Sequence, residues 1–514
     1  MAAFIVMLLI IAILFISPWA EKKIRTALND QKGNYRIEVD KIHVSLLARS
    51  IKLERITFAT KDPDMGKGEI SGKIEAVNCR GIRLAKLIFR KNFEVGEIII
   101  KNGNLEGKIP FKNDSVKPVI STINLQIDKV FFDNISFSVQ DTLSPQTYTV
   151  KNGDLTFLNL QIIKNDTLSK KTIQKVDLSI PYFSKISDDS LNTIYVKEIN
   201  YSSGSNLLTV DSFINHPNFE GYEFTDKKPY LTSRMEAVLS KIIIHDFAFT
   251  DCIHSGDILS SYVEIGHLKL EIFKDARKEL KHVKRPMLQE MIYNYPNKIQ
   301  IDSLRIHDGD IIYTEHATEA NMPGTVRFNK MEMQAYKITN DTIYKKEKAW
   351  LEIIAKTLIM GKSEFRMDLK AELFETDNTF TFNGSATPMD AADLNPILEK
   401  NAYVYANTGR VDGMSFSFSA NNFNSTGNMI MLYHDLNLSV KNKQTDKTTA
   451  IKERIISFIT NMKVKDANPL PGQEVRTSEI YFERNTEKYM INYCFKSILS
   501  GVLTTIINDN TKLK

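Results

Sequence analysis

The chain has 514 residues, 42% of them hydrophobic and 25% charged, the balance of a folded protein with room for two or more domains or one long repetitive one. A net charge of +5 over this length, with no aromatic residues interleaved along a basic stripe, argues against nucleic acid as a partner. Three cysteines (Cys79, Cys252 and Cys494) stand far apart, fit no metal spacing and make no disulfide framework.

Residues 2–20, "AAFIVMLLIIAILFISPWA", carry no charge and are long enough to cross a bilayer as a helix. The competing reading is a cleaved signal peptide, but Pro18 stands where cleavage at Ala20 needs a small residue, so the expectation is an uncleaved anchor over 1–20. Lys22, Lys23 and Arg25 follow it, a bias that would keep the rest of the chain cytoplasmic; long folded domains cross despite such a bias.

After the anchor the text is mostly strand. "IEVDKIHVSLL" (37–47) alternates, as do the runs around Phe365, Phe380, Met414 and Leu436. Asx-Gly or Ser-Gly pairs punctuate these runs at Asn102-Gly103, Asn152-Gly153, Ser203-Gly204, Asp308-Gly309 and Asn383-Gly384, and are read as hairpin turns. No strand–helix–strand rhythm is present, so the predicted sheet is antiparallel and meandering. Residues 274–296 are basic, amphipathic and broken by Pro286, and are read as a helical linker. Short helices are predicted over 391–400, over 451–462, and in the tail over 491–507. The expected organisation is an anchor (1–20), a β region (21–273), the basic linker (274–296), and a second β region ending in an amphipathic helix (297–514).

The richest cluster of chemistry is "IDSLRIHDGDIIYTEH" (301–316), with His307, Asp308, Asp310, Glu315 and His316. Laid over 95–109 and 148–160, only the Asx-Gly pair recurs between apolar runs, so the stretch is read as a turn without a metal. His245, Asp246, Asp251, Cys252 and His254 are read as a loop edge between strands. No phosphate loop, nucleophile elbow or zinc helix is found, and neither an enzymatic step nor a cofactor is expected.

The series of motifs resembles the AsmA-like proteins of Gram-negative envelopes, related to the bridge-like lipid carriers. The resemblance rests on the apolar helix running into a strand at 24–58 and on the repeated strand–Asx-Gly–strand unit. It rests most on an ordered C-terminal series: Gly384, Ala386, Pro388 and Asp390; Asp393 to Leu398; Val411, Asp412, Gly413, Phe416 and Phe418; Gly427; and Tyr433 to Leu436. It covers most of the chain, with 160–300 fitting loosely. It implies a mainly β protein whose long repetitive sheet curls into an elongated groove for acyl chains. It also implies an inner-membrane anchor and a periplasmic bulk.

A one-sided sheet must hide its apolar face against a second sheet, by closing, or by filling a trough with lipid. Too few helices are predicted to cover it; a pair of ordinary sandwiches fits the same pattern. The expected groove lining is Phe365, Met367, Leu369, Phe380, Phe382, Met414, Phe416, Phe418, Leu436, Leu438 and Val440. The expected membrane-contacting face of the tail helix is Phe495, Ile498, Leu499, Val502 and Ile506. The expected partners are phospholipid or another acyl lipid, the inner membrane, and an outer-membrane or periplasmic protein. The alternative is a non-enzymatic assembly factor for outer-membrane proteins. Six Asp-Ser/Thr-aliphatic triplets after the anchor, such as Asp141-Thr142-Leu143, read equally as turn chemistry or as periplasmic O-glycosylation acceptors.

Overall fold

The computed structural model describes residues 21–22, 26, 35–45, 47–61, 68–83, 93–110, 123–164, 169–345, 349–440 and 464–507. The expected anchor (1–20) and the amphipathic stretch 451–462 lie outside the described residues. The chain divides into two compact units, Met1–Phe213 and Ile214–Lys514. That division falls well ahead of the expected basic linker.

The first unit is built of strands: β1 (Tyr35–Ser45), β2 (Ser50–Thr60), β3 (Glu69–Arg80), β4 (Phe93–Ile109), β5 (Ile123–Asp141), β6 (Thr147–Lys164), β7 (Ser169–Thr172), β8 (Lys175–Ile186) and β9 (Asn192–Ser202). β10 (Leu207–Pro217) runs across the division. Neighbours pair antiparallel from β1 to β4 and again through β5, β6, β8 and β9. β4 and β5, however, pair parallel from Phe93↔Leu125 to Ile109↔Asp141.

The second unit contains α1 (Gly221–Asp226), β11 (Arg234–His245), α2 (Phe249–Ser255), β12 (Ile258–Asp275), α3 (Leu288–Tyr293), β13 (Ile299–Ile306), β14 (Gly309–His316), β15 (Gly324–Thr339), β16 (Trp350–Ile359), β17 (Ser363–Glu372), β18 (Phe380–Ala386) and β19 (Met389–Asp390). It continues with α4 (Asn395–Asn401), β20 (Val404–Ala420), β21 (Asn424–Val440), β22 (Ser478–Glu483) and α5 (Met490–Ile507). β12 runs parallel to both β13 and β14, which share the antiparallel partner β15. From β15 the ladder is antiparallel through β16, β17, β18, β20, β21 and β22.

The mainly β expectation holds, and the wholly antiparallel one does not. The β12-to-β13 crossover is mostly non-helical: only Leu288–Tyr293 is helix within 274–296, so no helical rhythm announces the parallel pair. The expected helix at 391–400 is present as a 3-10 turn, Ala391–Leu394, followed by α4. Pro396 pre-sets its first turn, and Asn395 exchanges two hydrogen bonds with the backbone of Ala406 at 3.0 and 2.8 Å.

Most of the Asx-Gly pairs prove to be something other than turns. Ser203-Gly204 does join β9 to β10. Asn102-Gly103 and Asn152-Gly153 instead lie inside single long strands, where Asn102 and Asn152 take φ of 50° and 54°. They are bulge-like interruptions, where a left-handed residue changes the phase of the alternation; the pairing slips register beside Asn152 and keeps it beside Asn102. Asp308 and His307 likewise separate the collinear β13 and β14, so 301–316 is no hairpin. Asn383-Gly384 is regular strand inside β18.

Candidate functional site

The dense stretch 301–316 does not converge on one point. His307 Nε2 lies 3.2 Å from a Glu264 carboxylate oxygen, and His267 Nδ1 lies 2.9 Å from Asp308. His316 is buried with both ring nitrogens engaged, by Tyr222 at 2.8 Å and by the carbonyl of Ala320 at 2.6 Å. Tyr313 donates to Glu315, which also meets Lys274 at 3.0 Å. Burial alone would raise Glu315, but the Lys274 charge and these hydrogen bonds hold its carboxyl below the ordinary range. Among the described residues no three His, Cys, Asp or Glu side chains form a metal-binding group. His245 stacks on Tyr262 at the end of β11, and the following segment is the helix α2 rather than a strand.

The first unit carries an extended apolar face. Cross-strand register lines its residues into rows. One row runs Ile37–Phe58–Gly72–Leu105–Phe137–Val150–Phe183–Val196 across β1, β2, β3, β4, β5, β6, β8 and β9. A second runs Ile42–Leu53–Val77–Ile100–Phe132–Leu155–Leu178–Tyr201, and a third runs Val44–Ile51–Cys79–Ile98–Val130–Phe157–Val176. Val39–Ile56–Ile74–Gly103–Ile135–Gly153 fills the space beside the first. The strands from β1 to β6 reach all four rows because each changes the phase of its alternation partway along. Arg55, Asn102, Asn134 and Asn152, all at φ of 50–58°, mark the change on β2, β4, β5 and β6.

Side chains tie the bulges together on the polar side. Asn102 donates to Glu75, the Asn134 amide nitrogen donates to Asn102 Oδ1 at 2.6 Å, and the Asn152 N–H donates to Ser136 Oγ at 3.0 Å. The polar face also carries the pairs Lys101–Asp133 (3.4 Å) and Lys129–Glu97 (3.3 Å).

Val39, Ile42, Ile56, Val130, Val150, Val176 and Tyr201 are buried, whereas most other row residues, among them Phe132, Leu155, Leu178 and Phe183, are half-buried. Between Tyr35 and Phe213 the described residues contain no helix. Burial pushes the Cys79 thiol in the third row upward.

In the second unit equivalent rows end under helices. Ile244–Val263–Leu304–Ala335–Ile353–Leu369–Phe382–Phe418–Gly427–Ile480 runs from β11 to β22. Over its far end lies α5. Tyr493 packs edge-on to Phe380 at 5.9 Å, a Cβ on Gly501 would come within 2.8 Å of Ile480, and Ser497 and Thr505 hydrogen-bond Ser425 (2.7 Å) and Ser478 (2.6 Å).

These positions divide the expected groove lining. Leu369, Phe380, Phe382, Phe416 and Phe418 are buried in one core with α5, and Phe365, Met367, Met414, Leu436 and Leu438 are half-buried against that core. They share one side of the sheet, as the alternation predicts, but they are not an open face. The side chain of Val440 lies outside the described residues. On the expected membrane face of the tail helix, Phe495 is 58% exposed, Ile498, Leu499 and Val502 pack partly on the core, and Ile506 is buried. The reason is that the second half of α5 lies flat on β21 and β22. Among the described residues α5 alone is long and apolar enough to cross a membrane, and 56% of it is buried within the protein.

The regular alternation therefore marks the packed end and not the rows of β1 to β9. Their signal is present but broken: Ile98 and Ile100 alternate on even positions, then Gly103 and Leu105 on odd ones. Compared with protein-family models and with curated proteins, the chain matches none.

Proposed function

We propose that this protein binds acyl lipid along the apolar sheet face of its first unit and carries it at the cell envelope, with no enzymatic step. In this reading residues 1–20 anchor the chain in the inner membrane and the remainder lies in the periplasm. The observation that supports it is the set of apolar rows, in register over six to eight strands and largely half-buried.

An apolar face of this extent gains about 25 cal/mol for each Å² it removes from water, and a lipid tail satisfies it without a fixed polar partner. Acyl chains also tolerate the irregular relief made by Gly72, Gly103 and Gly153 between larger side chains. Eight strands at about 4.8 Å give a face roughly 35 Å across, comparable to the hydrocarbon thickness of a bilayer, about 30 Å. Interruptions of this kind, at Arg55, Asn102, Asn134 and Asn152, are a means by which a wide sheet acquires curvature.

The test is site-specific photo-crosslinking in cells. A photoreactive amino acid at Phe132, on the apolar face, should yield phospholipid adducts by mass spectrometry, and one at the neighbouring Asp133, on the polar face, should not. No adduct at 132, or equal adducts at both positions, removes the lipid reading.

A further inference from the structure

The start of α5 carries a second surface that the apolar rows do not use. Ile491 and Phe495 are one helical turn apart, 84% and 58% exposed, and Tyr489 just before them is 54% exposed. They lie outside the packed side of α5, which is formed by Tyr493, Cys494, Ser497 and Gly501.

The basic crossover between β12 and β13 is fastened beside them. The Arg285 N–H donates to the carbonyl of Thr486 at 2.8 Å, Arg484 donates to the carbonyl of Arg285 at 2.8 Å, and His282 lies 3.0 Å from Glu487. The Arg285 guanidinium stands over the Tyr489 ring at 5.1 Å. Among the described residues neither Arg285 nor Lys488 is ion-paired. The nearby carboxylates are already engaged, Glu290 by Lys284 (3.3 Å), Glu315 by Lys274 (3.0 Å) and Glu487 by His282. Burial, then the neighbouring Lys274, holds the Lys488 ammonium below its ordinary range against the pull of Glu315 and Glu487.

We propose that this patch docks the protein onto the surface of a bilayer containing anionic phospholipid. Ile491 and Phe495 enter the acyl boundary, Tyr489 lies at headgroup depth, and Arg285 and Lys488 meet lipid phosphates. A protein partner is disfavoured by the arrangement, because the exposed apolar group is a single short ridge edged with cations rather than a broad patch. Docking does not depend on the sheet face holding lipid, so the two readings fail separately.

The experiment uses the full chain reconstituted into neutral phosphatidylcholine vesicles. It measures capture of a second vesicle population, either phosphatidylcholine alone or phosphatidylcholine doped with phosphatidylglycerol. The intact protein should capture the anionic vesicles selectively and less well at high salt. The pair Arg285→Gln with Lys488→Gln should weaken capture roughly thirtyfold. The pair Ile491→Ser with Phe495→Ser should abolish capture with an unchanged melting temperature, since both residues lie outside the core. Equal capture of neutral vesicles, or undiminished capture by either pair, overturns the proposal. Competition by inorganic phosphate at equal phosphorus concentration overturns it as well, in favour of a free-phosphate site.

Discussion

Gly384 leaves room for an aromatic ring. A Cβ there would stand 2.4 Å from Cζ of Phe416 and 2.9 Å from the carbonyl of Arg366, so neither ring nor strand could stay in place. Phe416 in turn lies 5.6 Å from the Phe382 ring and 6.1 Å from the Phe418 ring, in a core without slack. Gly384→Ala should therefore cost about 1–3 kcal/mol in chemical denaturation. Gly413→Ala, where the nearest atom would be 3.7 Å away, should stay within about 0.5 kcal/mol of the parent. Equal effects would show that Gly384 is kept for backbone freedom and not for Phe416. In the sequence, Asn383-Gly384 is indistinguishable from a turn, because the ring that requires the glycine comes from a strand some thirty positions away.

At the scale of the element the bulge decides what a strand can bury. Asn102 at φ 50° splits β4 into Ile98 and Ile100 on one side and Gly103 and Leu105 on the other, all facing the same way. Deleting Asn102 would put one half of β4 on the wrong face, because the side-chain period is two. The point change is more discriminating. Asn102→Gly keeps the left-handed conformation and loses only the bond to Glu75, whereas Asn102→Val forces a β-branched residue to positive φ, at about 1–3 kcal/mol. A thermal melt placing the valine variant level with the glycine one would mean that the bulge does not hold this strand in register. Strands of regular phase, such as β17 and β18, are legible from alternation alone. β4, β5 and β6 are not, since each change of phase imitates the end of a strand, and a small polar residue at the break imitates a turn. The parallel pairing of β4 with β5 is hidden for another reason: local pattern says where strands are, not which neighbour they choose.

At the scale of the whole molecule the two units differ in what lies beyond the sheet. In the second, α4 joins strands distant in the ladder, touching both β15 and β20, and α5 lies on the neighbours β21 and β22. The mainly β character and the shared apolar side follow from composition and alternation, while this covering follows from Ser497, Gly501 and Thr505, small residues whose contact with a sheet no periodicity announces. In the first unit each described strand meets chiefly its two flanking strands. Such a sheet behaves as a one-dimensional chain of coupled links, whose stability is a sum of intrinsic and nearest-neighbour terms. Nothing obliges it to melt at once. Amide exchange should be slowest in β4, β5 and β6 and rise outward to β1 and β9, while the strands packed beneath α5 exchange together. Uniform protection throughout β1 to β9 would contradict this. If it holds, the first unit opens by fraying from its flanks, one strand at a time, and its tolerance of such partial states sets how readily a bulky guest could enter from the side without unfolding of the rest.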